Sequence, residues 1–143
     1  MRLLGIDFGR QRIGIAVAES ILAIATPRQP LKASGKLDTD ADAILRLAKA
    51  EEADLVVVGV PELADAGDGG RMQRACRELG ARLERRGLRV EFVDEALTSV
   101  EAEAALRQTG LTAAKRKVRL DGEAAALILE RYMSERGQTE SES

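Results

Sequence analysis

The sequence predicts an α/β fold: a mixed five-stranded sheet whose first three strands form an antiparallel meander, with helices on both faces. Three observations predict it. The opening residues, up to Thr26, read as three extended segments joined by turns too short to hold crossover helices. Further along, short β-branched runs alternate with stretches of helical periodicity, the pattern of parallel crossover units. Finally, Leu55-Val56-Val57-Val58-Gly59-Val60 is apolar without alternation, as a strand covered on both faces should be.

The elements follow in order. Leu3 to Phe8 is a short apolar run, Gly9-Arg10-Gln11-Arg12 turns the chain, and Ile13 to Ala18 continues it. A third strand, Leu22 to Thr26, is expected to stop at Pro27 and Pro30, because proline cannot donate to a ladder. From Asp38 to Glu52, Ala41, Ile44, Leu45, Leu47 and Ala48 recur at helical spacing. Asp54 to Pro61 is the doubly covered strand, and Glu62 to Gly70 reads as a mobile glycine-containing loop. Met72 to Arg86 repeats apolar residues at Met72, Ala75, Cys76, Leu79 and Leu83 and is stopped by Gly87. Arg89 to Asp94 alternates polar and apolar. Thr98 and Glu101 have capping-box spacing, which starts a helix running to about Gln108. Gly110 to Lys117 reads as a basic loop, and a last helix is expected from about Asp121 to Met133. Residues 1–136 make one expected domain and 137–143 a disordered polar tail.

Composition narrows the chemistry. The chain has 143 residues, no histidine and one cysteine, Cys76. That excludes Ser-His-Asp and Cys-His nucleophile systems, zinc sites with imidazole or four-cysteine ligation, and an intramolecular disulfide. Any metal must be held by oxygen, which points to Mg²⁺ or Mn²⁺. With 22 Lys and Arg against 24 Asp and Glu, nucleic acid can be gripped only through local basic patches. Phe8, Phe92 and Tyr132 are too few aromatics for a base-stacking platform. No apolar stretch is long enough to cross a bilayer and none reads as a signal peptide, so the cytoplasm is the expected compartment.

Three carboxylates stand out by position. Asp7 ends the first strand beside the Gly9 turn, Glu95 follows Asp94 at the end of the late strand, and Asp121 opens the expected last helix. Each has an ordinary reading as a turn residue, a solvated surface group or a helix cap. If the first and late strands are neighbours, the three converge in the crevice outside the strands' carboxyl ends, where open α/β sheets bind ligands. Such a cluster repels itself unless a divalent cation neutralises it. One or two such ions suit in-line phosphoryl displacement. Asp94 is expected to face away, since adjacent strand residues point to opposite faces. Arg107, Lys115, Arg116, Lys117 and Arg119 border Asp121 and, with Arg10 and Arg12, are candidate phosphate contacts. Arg82, Arg85, Arg86 and Arg89 form a second cluster that reads as a solvated helix face. The triplet Asp7-Phe8-Gly9 has no accompanying kinase motif, and no phosphate-binding glycine loop is present.

Several segments also occur in a familiar order: Gly5-Ile6-Asp7-Phe8-Gly9 with Arg12-Ile13-Gly14-Ile15-Ala16-Val17, Ile24-Ala25-Thr26-Pro27, and Val57-Val58-Gly59-Val60-Pro61. Asp94-Glu95-Ala96-Leu97-Thr98-Ser99 and Asp121-Gly122-Glu123-Ala124-Ala125-Ala126-Leu127-Ile128-Leu129 complete the series. Together, from Leu3 to about Tyr132, they resemble the YqgF/RuvX family. Its members are bacterial proteins of the ribonuclease H-like superfamily, described as Holliday junction resolvases and as pre-16S rRNA nucleases. The resemblance implies a ribonuclease H-like fold in which Asp7, Glu95 and Asp121 are catalytic and metal-binding. Two departures remove charge without touching those three positions: Ala96 stands where the family usually has arginine, and Gln11 where lysine is frequent.

The expectation is therefore a nuclease dependent on Mg²⁺ or Mn²⁺. It would hydrolyse phosphodiester bonds in structured nucleic acid, in 5′-end processing of pre-16S rRNA, resolution of Holliday junctions, or both. Hydrolysis by metal-activated water needs no imidazole base, in keeping with the missing histidine. The partners are a structured RNA precursor or branched DNA, not a membrane. Monomer and homodimer both stay open, symmetric junction cutting requiring two sites. The alternative is a non-catalytic nucleic-acid or ribosome-binding module on the same fold, to which clustered negative charge near phosphates brings nothing. An actin-like ATP-binding protein shares the Asp-x-Gly opening, but 143 residues cannot supply its second lobe.

Overall fold

Alternation along the first strand sets the architecture. In β1 (Arg2–Phe8), Leu4 and Ile6 enter one apolar cluster and Leu3 enters another, all three fully buried. A strand with both faces covered needs helices above and below it. The structure, a computed structural model, describes residues 1–61, 70–94 and 113–142, and within the last stretch the side chains of residues 122–136. Its further elements are β2 (Arg12–Glu19), β3 (Ile24–Lys32), α1 (Leu37–Ala50), β4 (Leu55–Val60), α2 (Arg71–Arg85), β5 (Val90–Asp94) and α3 (Ala113–Glu142).

The five strands lie in the order β3-β2-β1-β4-β5. β1, β2 and β3 pair antiparallel, whereas β4 is parallel to β1 and β5 to β4. This is the meander followed by crossovers that the sequence predicts. On one face, Ala41, Ile44 and Ala48 of α1 and Cys76, Leu79 and Leu83 of α2 pack on Leu4, Ile6, Ile13, Ile15, Val56 and Val58. On the other, Ala125, Ala126, Ile128, Leu129 and Tyr132 of α3 pack on Leu3, Ala16, Leu55, Val57 and Val93. Among the described residues no helix is long and apolar enough to cross a membrane.

Three boundaries differ from the sequence reading by more than a few residues. β3 does not stop at Pro27; it runs through both prolines to Lys32. It is an edge strand, so a missing N–H can face solvent at no cost to the ladder. Pairing also shifts between Ile13 and Ile15, whose partners are Leu31 and Arg28, so two residues of β3 oppose Gly14 alone and Pro30 sits in that bulge. The last helix starts at Ala113, so residues 113–117 of the expected basic loop are helical and Asp121 lies in the helix rather than at its start. Ala113, Ala114, Lys115, Arg116 and Lys117 are all strong helix formers with no glycine or proline among them, and this propensity outweighs their charge. The helix also continues past Met133 to Glu142, taking in residues 137–142 of the expected disordered tail, since propagation adds a hydrogen bond per residue without a new nucleus. The helix expected from Thr98 to Gln108 and residues 62–69 of the expected loop lie outside the described residues.

An ion-pair network clamps the sheet edge opposite the strands' carboxyl ends. Arg2 Nη2 donates to Glu51 Oε2 at 2.8 Å, and Arg28 Nε approaches Glu51 Oε1 at 3.4 Å, joining β1, β3 and the end of α1. The hydrogen bond from Arg2 holds the Glu51 carboxyl below its ordinary value of 4.5. A carboxylate lowered on folding stabilises the chain above its unfolded pKa and loses that contribution as pH falls through its folded value. The melting-temperature deficit of Glu51→Gln should therefore be full at neutral pH and shrink progressively as the pH drops below 4.5. A deficit that stays constant down to pH ~2 would show that the charge is not what stabilises there.

Candidate active site

β1, β4 and β5 run parallel, so their carboxyl ends at Phe8, Val60 and Asp94 meet one edge of the sheet. β1 is central, flanked by β2 and β4. The site is built on its last residues.

Asp7 is half-buried at this end of β1 and pairs directly with Gly14 of β2. Alternation places it with Leu3 and Gly5, on the face that α3 covers. Gly14 shares that face and contributes no side chain. The turn that follows is locked locally: Gly9 N donates to Arg12 O at 3.0 Å. A Cβ on Gly9 would lie 2.6 Å from that same oxygen, so only glycine closes the turn so tightly.

α3 approaches this end of the sheet because the sequence removes the side chains that would hold it off. A Cβ on Gly5 would sit 2.6 Å from Leu129 Cγ and 2.8 Å from the Ala125 carbonyl. A Cβ on Gly122 would sit 2.9 Å from Pro27 Cβ and 3.3 Å from the Arg28 carbonyl. The helix thus runs antiparallel to β1, and position 121, one turn before Ala125, falls toward the Asp7 end. Its side chain lies outside the described residues. The reading of Asp121 as an N-cap no longer applies, because it stands about two turns inside α3. A helix-interior Asp-Gly pair is costly in propensity, and packing accounts only for the glycine.

Glu95 lies outside the described residues, but the strand that leads to it is held in place. Arg131 of α3 donates Nη1 to the Asp94 carbonyl at 2.6 Å, tying the end of β5 to the helix that carries Asp121. Asp94 is exposed and lies opposite Val60, on the face covered by α1 and α2 and away from that of Asp7. Among the described residues no three carboxylate, thiol or imidazole groups come together, two of the three candidate ligands having undescribed side chains. The candidate donors are all carboxylate oxygens, a set that fits a hard divalent cation such as Mg²⁺ or Mn²⁺ and no softer metal.

Beside Asp7 the β1–β2 turn and the end of β3 form a groove of about 560 Å³, lined by Arg10, Gln11, Arg12, Pro30, Leu31, Lys32 and Ala33. Arg10 and Arg12 are expected here from the sequence; Lys32 is not. Its signal is one of register, since Lys32 is the direct cross-strand partner of Arg12, and a Pro-rich stretch that reads as a strand's end conceals it. Arg107 lies outside the described residues; Lys115, Arg116, Lys117 and Arg119 fall on the helical backbone of α3, with their side chains undescribed. The second arginine cluster is structural in part: Arg82 meets Asp38 at 2.8 Å and Arg86 meets Asp42 at 2.8 Å, joining α1 to α2. Hydrogen bonds from Arg82 and Arg86 hold the Asp38 carboxyl below its ordinary range.

A family model for RuvX, described as Holliday junction resolvase, matches residues 1–135. A protein from Methylobacillus flagellatus named "Putative pre-16S rRNA nuclease" is 40% identical over 131 residues, covering 91% of this chain and 88% of that protein. A protein of the same name from Anaeromyxobacter dehalogenans is 41% identical over 137 residues, covering 95% of this chain and 98% of that one. Among solved structures, RuvC of T. thermophilus in complex with a Holliday junction substrate matches with a TM-score of 0.63 at 17% identity, over 97% of each chain. The last likeness is one of fold, and with the mixed sheet it makes the fold ribonuclease H-like, as expected.

Proposed function

The chain belongs to the RuvX family, and on that premise we propose that it is a divalent-metal-dependent nuclease hydrolysing phosphodiester bonds in structured nucleic acid. Its substrates are the 5′ end of pre-16S rRNA, Holliday junctions, or both, and its compartment is the cytoplasm. The nuclease domain is residues 1–136. The observation that carries this reading is Asp7, set at the carboxyl end of the central strand on the face over which α3 brings position 121.

In this reading Asp7, Glu95 and Asp121 hold Mg²⁺ or Mn²⁺, which supplies activation of the attacking water and charge stabilisation at the leaving oxygen. The protein's part is placement. Asp7 is fixed by a strand paired on both sides, so its carboxylate does not need to reorganise as charge develops. Gly14, its cross-strand partner, presents no side chain to a phosphate bound there. Arg10 and Arg12, with Arg107, Lys115, Arg116, Lys117 and Arg119, bind the phosphates around the cleaved bond, which selects backbone and shape rather than base sequence. Arg131 acts through Glu95 by holding the carbonyl that precedes it.

The test is a side-by-side assay of the wild type on a four-way DNA junction and on precursor-rRNA mimics, with Mg²⁺ and with Mn²⁺. Cleavage of either supports the proposal; binding without cleavage of both would instead favour a non-catalytic module. Size measured in solution decides between monomer and homodimer, and a junction cut symmetrically requires the dimer. A second outcome follows from Arg131. Arg131→Ala should lower kcat about tenfold with KM little changed, the usual scale for losing a group that orients a ligand. An unchanged kcat would show that the Asp94 carbonyl needs no anchor.

A further inference from the structure

The groove beside the β1–β2 turn carries more than the two arginines that the sequence singles out. Three cations, Arg10, Arg12 and Lys32, line it, and no carboxylate does among the described residues. Arg12 and Lys32 are direct cross-strand partners. The groove thus gathers three cationic side chains within reach of one another, a local basic patch of the kind that takes a phosphate.

Placement ties the groove to the carboxylate. Ile13 of β2 and Leu31 of β3 pack into the cluster beneath α1 and α2, so Arg12 and Lys32 belong to the opposite face, the one that holds Asp7. Strands spaced about 4.8 Å apart and rising about 3.3 Å per residue set the Arg12 and Lys32 backbones about 8 Å and about 12 Å from that of Asp7. The groove is therefore beside the proposed cleavage position and does not coincide with it. Its outer wall is built to stay open. Pro27 and Pro30 withhold two N–H groups from the sheet edge, which resists pairing by another strand. The remaining wall is held by Ala33 N donating to Gln11 O at 2.9 Å, which joins the end of β3 to the β1–β2 turn.

We infer that Arg10, Arg12 and Lys32 form a second phosphate site, which grips the nucleic-acid backbone about one or two phosphates away from the cleaved bond. Lys32 is the phosphate contact that the site adds to the two arginines. This deepens the nuclease reading and rests on it for the location of the cleaved bond, though the grip itself does not require cleavage. The site sets the direction in which the strand leaves the active site, along β2 and β3 toward the sheet edge.

The test measures binding of a labelled single-stranded RNA and a labelled four-way DNA junction in EDTA, across a range of salt concentrations. Lys32→Gln should weaken binding at low salt about tenfold and flatten the slope of log K against log salt by about 0.7 to 0.9, the loss of one phosphate contact. Lys32→Arg should restore both. Lys32→Glu should weaken binding further while the melting temperature holds. A merely structural lysine would lose stability along with binding. Lys49→Gln, an exposed cation at the end of α1 far from the groove, should leave the slope unchanged. The inference is overturned if Lys32→Gln keeps the wild-type slope, if Lys49→Gln loses as much, or if the wild type binds neither probe. Failure of the nuclease reading looks different: the wild type binds, Lys32→Gln shows the reduced slope, and neither probe is cut when Mg²⁺ or Mn²⁺ is added.

Discussion

Asp7→Asn abolishes cleavage while leaving the fold intact: the expected result is a fall in kcat of at least about 10³-fold. The substitution is nearly isosteric and keeps a carbonyl oxygen at the same place, so the half-buried end of β1 retains its shape and its pairing with Gly14. What is lost is charge. A neutral amide holds a divalent cation poorly, and the charge stabilisation such an ion supplies in phosphoryl transfer is worth several kcal/mol. At 1.36 kcal/mol per decade, about 4 kcal/mol corresponds to about 10³ in rate. The measurement is single-turnover cleavage of whichever substrate the wild type cuts, with a thermal melt of each protein alongside. Glu91→Gln, an exposed carboxylate on β5, serves as the comparison and should cut at the wild-type rate. Two results would sink the assignment: cleavage that survives in Asp7→Asn, or equal losses in both variants.

Much of this site is legible in the amino-acid sequence, and the parts that are not have physical reasons. Alternation in Leu3-Leu4-Gly5-Ile6-Asp7 assigns Asp7 to one face, and α3 covers that face in the fold. The unbroken apolar run at Leu55–Val60 is legible because a strand covered on both sides has no polar face to alternate with. The length of β3 is not, because the penalty for proline depends on whether a strand is central or at an edge, and strand order is a tertiary fact. Lys32 is hidden for the same reason, since cross-strand partners are fixed by register rather than by spacing along the chain. Asp121 has the look of a cap because an aspartate before glycine is usually a boundary. The preceding helix formers, Ala113 to Lys117, instead carry the helix through it. Its place inside the helix removes its ordinary explanation and so sharpens the functional one. Glu95, by contrast, rests on the resemblance and on the anchored strand end that precedes it.

The largest effect on stability should come from Gly5→Val, a change that adds three carbons and removes nothing. Gly5 is buried in the centre of β1, and a Cβ there would already lie 2.6 Å from Leu129 Cγ and 2.8 Å from the Ala125 carbonyl. The leucine can yield by changing rotamer; the carbonyl belongs to the backbone of α3 and yields only if the helix moves. Two terms favour valine: its β-propensity exceeds that of glycine by up to about 1 kcal/mol, and it loses less chain entropy on folding, by about 0.5 to 1 kcal/mol. Overpacking of a close-packed core costs about 1 to 3 kcal/mol and more where backbone must shift, so a clash with a helix carbonyl wins. The net loss should be about 2 kcal/mol or more, lowering the melting temperature by about 10 °C, with Gly5→Ala falling between the two. Activity measured well below that temperature should fall too, because α3 lifted at Ala125 carries position 121 away from Asp7 one turn earlier. A melting temperature for Gly5→Val at or above the wild-type value would show that α3 does not press on β1. It would also remove the reason for a glycine two residues before Asp7: it is the missing side chain at Gly5 that lets α3 lie close over this part of the sheet.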